Sequence, residues 1–293
     1  MNSIQLKSRA KINLSIDVLG KREEGYHLVQ MIMQTIDLFD KIKIFSIEEN
    51  KIVIKSNSIE IPLNDDNIVY KTAKLIKDKY NIDKGLEIYI EKNIPVAAGM
   101  AGGSSNAAAV LVGLNKLWDL NLSEDELKII GLELGADVPF CISGQASLAE
   151  NIGEKLTKID GLSKDIFILV CKPELFVSTK EIYEAIDSKK IEKRPNNKLL
   201  ISSLKENNVK LLAENMYNVL EEVTKDKYPV IDEIEKVMME NNALGAMMSG
   251  SGPTVFGLYD KEEHAKKCKN ILLKKYNQVY VVKGYEKGVE IDG

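Results

Sequence analysis

The chain is 293 residues long, with Lys+Arg 40 against Asp+Glu 44, a formal net charge of −4 and 44% hydrophobic residues. That balance allows one large or two ordinary globular domains and excludes the general basic field that nucleic acid or an anionic membrane would need. Three scattered cysteines (Cys141, Cys171, Cys268) and two separated histidines (His27, His264) argue against a disulfide framework or a zinc cluster, and no run approaches the roughly 18 apolar residues of a membrane span, so free thiols in a cytoplasmic protein are expected.

In chain order, "IQLKSRAKINLSIDVLG" and "MIMQTIDLFDKIKIFSI" mix alternation with β-branched residues and read as strand-like runs. "KIVIKS" is a further short strand. "DDNIVYKTAKLIKDKY" reads as a helix capped by Asp66, with an apolar stripe of Ile68, Ala73, Leu75 and Ile76. The strand "GLEIYIEKNIP" leads into "AAGMAGGSSNAAA", residues 97–109, and then a helix apolar on most sides. "LSEDELKIIGLELG" carries a capping box, Ser123 with Glu126, and Gly135 at its end.

"IFILVCKP" is a continuous apolar run and so a buried strand. "VSTKEIYEAID" is a short helix capped by Ser178 or Thr179. Residues 195–242 are helical with polar faces; "ALGAMMSGSGPTVFGLYD" returns to strands around a Gly/Ser loop. A helix, "KEEHAKKCKNILLKKY", precedes a last strand, "QVYVVKGYE". The order defines an α+β chain. A composition shift near residues 150–165 is the natural divide.

Residues 97–109 are nearly empty of side chains and hold no charge. Strand, glycine loop and helix start form a phosphate cradle in principle. Helix N-termini present unpaired N–H groups with partial positive charge, and Gly99, Gly102 and Gly103 let backbone close on an anion. Ser104 and Ser105 add hydroxyls. The Walker pattern is excluded because no lysine lies in the stretch, and the glycine spacing is not that of a dinucleotide loop. On spacing alone, a phosphate site and a close helix–strand packing site are equally good readings. A second small-residue loop, with Ser249, Gly250, Ser251, Gly252 and Thr254, reads either as a hairpin turn or as a partner of the first. A nucleoside triphosphate here would need a lysine and a metal ion from elsewhere.

Four segments occur in one order: "AKINL" with "GYH", "PVAAGMAGGSS", "GADVPF" and "SGSGPT". Over almost the whole chain this resembles the small-molecule kinase superfamily named for galactokinase, homoserine kinase, mevalonate kinase and phosphomevalonate kinase. Within it, the chain is similar to the branch that phosphorylates the 2-hydroxyl of a cytidyl-diphospho sugar alcohol in non-mevalonate isoprenoid synthesis. The resemblance implies a two-domain small-molecule kinase fold, with a ribosomal protein S5-like N-terminal domain and a ferredoxin-like C-terminal domain. Residues 1–155 would bind ATP, and residues 156–293 would lie on the substrate side, the last strand packing back on the first domain.

The resemblance further implies ATP with Mg2+, and no protein residue is assigned to the metal. It puts the ATP phosphates on Pro95, Val96, Ala97, Ala98, Gly99, Met100, Ala101, Gly102, Gly103, Ser104 and Ser105. Lys11 and Asp137 match its catalytic lysine and aspartate, and Asn13 a substrate-contacting asparagine. Tyr26 and His27 match the pair that holds the cytosine, with Tyr183 as a second aromatic over the base. A monomer or homodimer without nucleic-acid or membrane partners is expected.

The chemistry agrees. Phosphoryl transfer asks mostly for positioning and charge stabilisation. Lys11 would neutralise developing charge. A carboxylate is a weak base for an alcohol, so Asp137 is expected to orient the hydroxyl and take its proton late. Three positions depart from the family pattern: Asn106 stands where an acidic residue is expected, Glu24 where Asp precedes "GYH", and Met100 in place of leucine. The competing readings are another kinase of the superfamily, acting on a mevalonate-like or amino-alcohol substrate, and a non-catalytic nucleotide sensor.

Overall fold

The computed structural model describes residues 2–292. Two long strands, β1 (Ser3–Lys21) and β2 (His27–Ile47), pair antiparallel from Ser3↔Phe45 to Lys21↔His27. The alternation of β1 suggests one wet face, yet Ser8, Arg9, Lys11, Asn13, Ser15 and Asp17 are all buried. Several segments cover them: Asn106 donates to Ser8, Glu290 pairs with Arg9, Asp137 faces Lys11, and Asn197 and Arg194 meet Ser15 and Asp17. The register slips between Arg9 and Lys11 and again between Asn13 and Ser15. Such bulges re-aim side chains, and these two bracket the polar site candidates of β1.

β3 (Ile52–Ser56), α1 (Ile68–Tyr80) and β4 (Gly85–Glu91) follow, with β4 parallel to β3 and antiparallel to β2. Asn67, not Asp66, caps α1. Asn67 is the residue with extended backbone at the boundary, and its Oδ1 accepts from Val69 N at 2.9 Å. α2 (Gly102–Leu117) lies close on the sheet: Ala107, Ala108 and Ala109 are fully buried, and a Cβ on Gly113 would meet Ile44 Cδ1 at 2.8 Å. The small residues of this stretch therefore have a packing meaning as well.

α3 (Glu124–Leu134) carries the expected capping box. The one-turn-plus helix α4 (Val138–Ser143) starts at Asp137, where the sequence indicated only a turn. A hairpin not foreseen from the sequence, β5 (Ser147–Asn151) and β6 (Lys155–Lys158), joins the edge of β2, so the larger sheet takes in residues to 158.

The rest of the chain comprises β7 (Phe167–Lys172), α5 (Thr179–Asp187), α6 (Asn197–Lys205), α7 (Val209–Asn215), the two-residue strand β8 (Tyr217–Asn218), α8 (Val219–Lys227), α9 (Val230–Glu240), β9 (Gly245–Met248), β10 (Val255–Tyr259), α10 (Glu262–Leu272), β11 (Gln278–Lys283) and β12 (Val289–Asp292). The larger sheet runs β12-β1-β2-β4-β3, with β5, β6 and β8 attached; the smaller runs β11-β7-β10-β9.

The strand read as last in the sequence stays in the smaller sheet, beside β7. A further strand, β12, returns to pair with β1, fastened by Arg9 Nη2 donating to Glu290 Oε2 at 2.8 Å. An apolar cluster joins the two sheets: Ile12 and Leu14 of β1 and Ile32 of β2 meet Val170 of β7 and Phe256 of β10. The architecture is α+β with two sheets. No helix among the described residues is long and apolar enough to cross a membrane.

Candidate active site

A cavity of about 920 Å3 lies between β1, the loop leading into α2, the start of α4 and α5. Pro95, Val96, Ala97, Ala98, Gly99, Ala101, Gly102, Gly103 and Ser104 line one side of it. Ala97 (φ 50), Gly99 (φ 71) and Ala101 (φ 55) all hold left-handed backbone. Two alanines kept in that region are a strained arrangement of the kind found at ligand clamps. Ala101 is also the N-cap of α2 and offers no side-chain oxygen. The N–H groups of the first helical turn are thus left for a ligand, and the helix dipole makes that ligand an anion.

Met100 and Ser105, expected on the same wall, do not line the cavity. Met100 is buried in the cluster between the sheets. Ser105 is fully buried beneath the first helical turn, its hydroxyl without a partner among the described residues. Their backbone is also engaged: Ser105 N, inside α2, donates to Ala101 O at 2.8 Å, and Met100 O accepts from Lys11 N at 3.2 Å.

The second glycine loop closes on the first. Ser249 Oγ donates to Gly99 O at 3.1 Å and accepts from Asn13 N at 3.3 Å. Asn218 Nδ2 donates to Met248 O at 2.9 Å and Gly250 O at 2.8 Å while its Oδ1 caps α8. One side chain thereby ties the hairpin loop to a helix start.

Lys11, 5% exposed, enters the cavity from the first bulge of β1. Its Nζ donates to Asn13 Oδ1 at 2.7 Å and stands 3.8 Å from Asp137 Oδ2. The Lys11 N–H also donates to Met100 O at 3.2 Å, which fixes the strand to the glycine loop. The Asp137 side chain is about a third exposed (31%) and makes no capping hydrogen bond to α4, so its oxygens are free for chemistry.

At the far end, His27 and Tyr183 face each other with ring centroids 4.9 Å apart and planes tilted by 40°. Tyr26, 61% exposed, stands at the rim. Burial first, and then the charge of Asp137, push the Tyr183 phenol above its ordinary range.

Among the described residues, no group of three or more His, Cys, Asp or Glu could hold a metal ion. A magnesium ion needs no such cage: it ordinarily keeps waters and binds one or two carboxylates plus substrate phosphates. The Asp137 carboxylate and the Ser104 hydroxyl, both lining the cavity near the glycine loop, fit that smaller set.

The family profile "GHMP kinases N terminal domain" matches residues 67–145, and "GHMP kinases C terminal" matches residues 200–278. A 4-diphosphocytidyl-2-C-methyl-D-erythritol kinase of Clostridioides difficile (strain 630) is 66% identical over 293 residues, covering 100% of this chain and 99% of its own. The chain belongs to the 4-diphosphocytidyl-2-C-methyl-D-erythritol kinase family of GHMP kinases. The kinase of that name from Alkaliphilus oremlandii (strain OhILAs) is 53% identical over 291 residues, covering 99% of this chain and 100% of its own. A crystal structure of 4-(cytidine 5'-diphospho)-2C-methyl-D-erythritol kinase superposes with a TM-score of 0.81 at 27% identity, covering 96% of this chain and 100% of that one. A homoserine kinase from Cytophaga hutchinsonii shares the fold, with a TM-score of 0.79 at 19% identity over 100% of this chain and 98% of its own.

Several residues around this GHMP kinase cavity carry no signal in the sequence. Asp40 is fully buried; its Oδ1 accepts from Asn93 N at 2.7 Å and Ile94 N at 2.8 Å. Its Oδ2 accepts from Asn106 Nδ2 at 2.8 Å and pairs with Lys92. Asn106 Nδ2 also donates to Ser8 Oγ at 2.8 Å. The departure at position 106 thus has a local reason, because an amide satisfies Asp40 where a carboxylate would oppose it. Lys92, 6% exposed at its side chain, lines the cavity under the start of α2. At the other end Asp187 bridges Lys21 and His27, each at 2.6 Å. Asp40 lies 53 positions from Asn93 and Asp187 160 from His27, distances across which no local pattern connects them.

Proposed function

We propose that this chain transfers the γ-phosphoryl group of ATP to the 2-hydroxyl of 4-diphosphocytidyl-2-C-methyl-D-erythritol, a step of non-mevalonate isoprenoid synthesis in the cytoplasm. The observation that carries the reading is the approach of Lys11 Nζ to within 3.8 Å of Asp137 Oδ2. That pair lies between a phosphate-type helix start on one side and an aromatic, histidine-bearing end on the other. A cavity of about 920 Å3 suits two ligands meeting end to end.

In this reading the triphosphate rests on the backbone of residues 95–105 and on the N-terminus of α2. The strained, preorganised loop has its amides in place before the nucleotide arrives, so little reorganisation is needed. The cytosine lies between Tyr26 and Tyr183, with His27 at its polar edge, and Asn13 helps to seat the alcohol. These contacts set the accepting hydroxyl beside Asp137.

Asp137 orients that hydroxyl and takes its proton as the O–P bond forms. Lys11, held by Asn13, supplies fixed positive charge where the transferring phosphoryl oxygens gather negative charge. Mg2+ would be held by Asp137, the Ser104 hydroxyl and the nucleotide phosphates, and supplies charge neutralisation of the phosphoryl oxygens. The larger-sheet half would then hold ATP and, through Asn13, Tyr26 and His27, much of the substrate, with the smaller-sheet half adding Tyr183. A divide at residue 155 falls at the start of β6, so the boundary would lie just beyond that strand.

The deciding experiment is ADP release with the cytidylylated alcohol beside the same polyol lacking the cytidyl group. The expected result is turnover of the first and near absence of turnover of the second. Equal rates would favour another kinase of the superfamily, and no ADP from either would favour a nucleotide sensor.

A further inference from the structure

We propose that Asp187 is a positioning residue for base recognition, one that fixes the tautomer of His27 and so selects cytosine over uracil. This rests on the proposed function, which makes His27 the residue at the polar edge of the base. Asp187 is the last residue of α5, one helical turn beyond Tyr183. Its Oδ1 lies 2.6 Å from His27 Nε2, and its Oδ2 accepts from Lys21 Nζ at 2.6 Å. The Lys21 and His27 hydrogen bonds hold its carboxyl below the ordinary carboxylate range.

An ionised carboxylate accepts and cannot donate. The hydrogen in the short contact therefore belongs to His27 Nε2. In a neutral imidazole the other nitrogen, Nδ1, is then a bare acceptor. Nδ1 has no hydrogen-bond partner among the described residues, and His27 lines the cavity beside Tyr183. An acceptor at that place pairs with the exocyclic amine of cytosine. Uracil presents a carbonyl at the same position, and two acceptors would meet. Discrimination then comes from a group that never touches the base. The same carboxylate, through Lys21, also ties the end of β1 to α5, so the aromatic and the histidine are set by one anchor.

The test uses the whole chain and needs no variant at its first stage. It holds only two histidines, so long-range 15N–1H spectra give an imidazole pattern with His264 as internal reference. The expected wild-type signature for neutral His27 is hydrogen on Nε2; hydrogen on Nδ1 overturns the inference. Asp187→Ala is then expected to give a mixed tautomer and to lower kcat/KM for the cytidyl substrate about tenfold, the size of one lost hydrogen bond. That loss should appear mainly in KM. The preference over the uridyl-diphospho analogue should fall by a similar factor, and Asp187→Glu should restore part of it.

A purely structural role would lower both substrates alike and leave their ratio untouched, and that outcome also overturns the inference. Failure of the wild type on both substrates would instead sink the proposed function, and the recognition role with it. Turnover with an unaltered ratio in Asp187→Ala would sink this inference alone.

Discussion

Ser249 Oγ and Gly99 O, 150 positions apart in the chain, are joined by a hydrogen bond of 3.1 Å. The contact locks the hairpin loop of the smaller sheet onto the glycine loop that leads into α2. Because Ser249 Oγ also accepts from Asn13 N, the strand that carries Lys11 is held in the same knot. The spacing between the glycine loop and the strand that carries Lys11 is thereby set by both halves of the molecule.

Gly99→Ala is the sharpest test of that junction. Gly99 has φ 71, and a Cβ there would lie 2.3 Å from Ser249 O and 3.1 Å from Gly252 O, both rigid backbone. The loops must separate. The expected loss is about 1–3 kcal/mol of stability from strain and lost contact, with KM for ATP raised more than KM for the alcohol. Chemical denaturation and two-substrate kinetics check it, and an unchanged KM for ATP would remove the junction from nucleotide binding.

Asp137→Asn keeps the shape of the residue and removes its charge. The side chain makes no capping hydrogen bond to α4, but its charge compensates the buried Lys11 ammonium 3.8 Å away, so a stability loss of about 1–2 kcal/mol is expected. The kcat should fall by roughly 10²–10⁴, the usual contribution of a positioned proton acceptor. Lys11→Met should bring a comparable fall in kcat while leaving binding of the alcohol largely intact, if, as proposed, Lys11 acts on charge that develops in transfer. Steady-state rates with a calorimetric Kd for the alcohol separate the two terms. A kcat near wild type in either variant would dismiss that residue from the reaction.

Much of this arrangement is legible in the amino-acid sequence. The glycine loop, the capping box at Ser123 and Glu126 and the hairpin around "SGSG" each declare themselves through local backbone chemistry, which short sequence windows record. The larger α+β plan and its kinase character show because four motifs recur in a fixed order. What escapes is whatever depends on burial from a distant segment. The polar positions of β1 read as wet because nothing local shows that Asn106, Asp137, Asn197 and Arg194 lie against Ser8, Lys11, Ser15 and Asp17. Met100 and Ser105 sit inside the loop motif, yet their direction follows from left-handed backbone at Ala97, Gly99 and Ala101, which composition does not reveal. Asp40, Lys92 and Asp187 look like ordinary surface charges until pairing partners far along the chain are known.

Asn106→Asp should be destabilising, although the family resemblance leads one to expect an acidic residue at that place. A second carboxylate would stand about 2.8 Å from Asp40 Oδ2 in a buried pocket, where the amide now donates to both Asp40 and Ser8. Lys92 Nζ, 3.4 Å from Asn106 Oδ1, would share its single charge between two carboxylates. One of them must then take up a proton or remain poorly compensated. The expected cost is about 2–4 kcal/mol at neutral pH, smaller at pH 5 than at pH 8, because protonation of one carboxyl relieves the repulsion. Denaturation curves at the two pH values decide it; a variant as stable as wild type at pH 8 would mean that Lys92 compensates both carboxylates.

Glu235→Gln addresses a buried carboxyl outside the cavity. Burial, together with hydrogen bonding and repulsion from Glu221, pushes the Glu235 carboxyl up to about 9. Lys225, between the two, donates to Glu221 Oε1 at 3.0 Å and pairs with Glu235, so one positive charge faces two acids. From the unfolded value near 4.5 up to about 9, the folded protein binds the proton that the unfolded chain has lost. Folded-state proton binding exceeds that of the unfolded state in this window, so stability is fully present below about pH 4.5 and declines as pH rises towards 9. Glutamine imitates the protonated acid and cannot ionise. The variant should therefore match wild type at pH 5 and exceed it in Tm at pH 9, with a flatter profile between. Calorimetric scans from pH 5 to pH 9 measure the difference directly. Parallel profiles for the two proteins would mean that Glu235 is already ionised in the fold, with Lys225 holding both carboxylates.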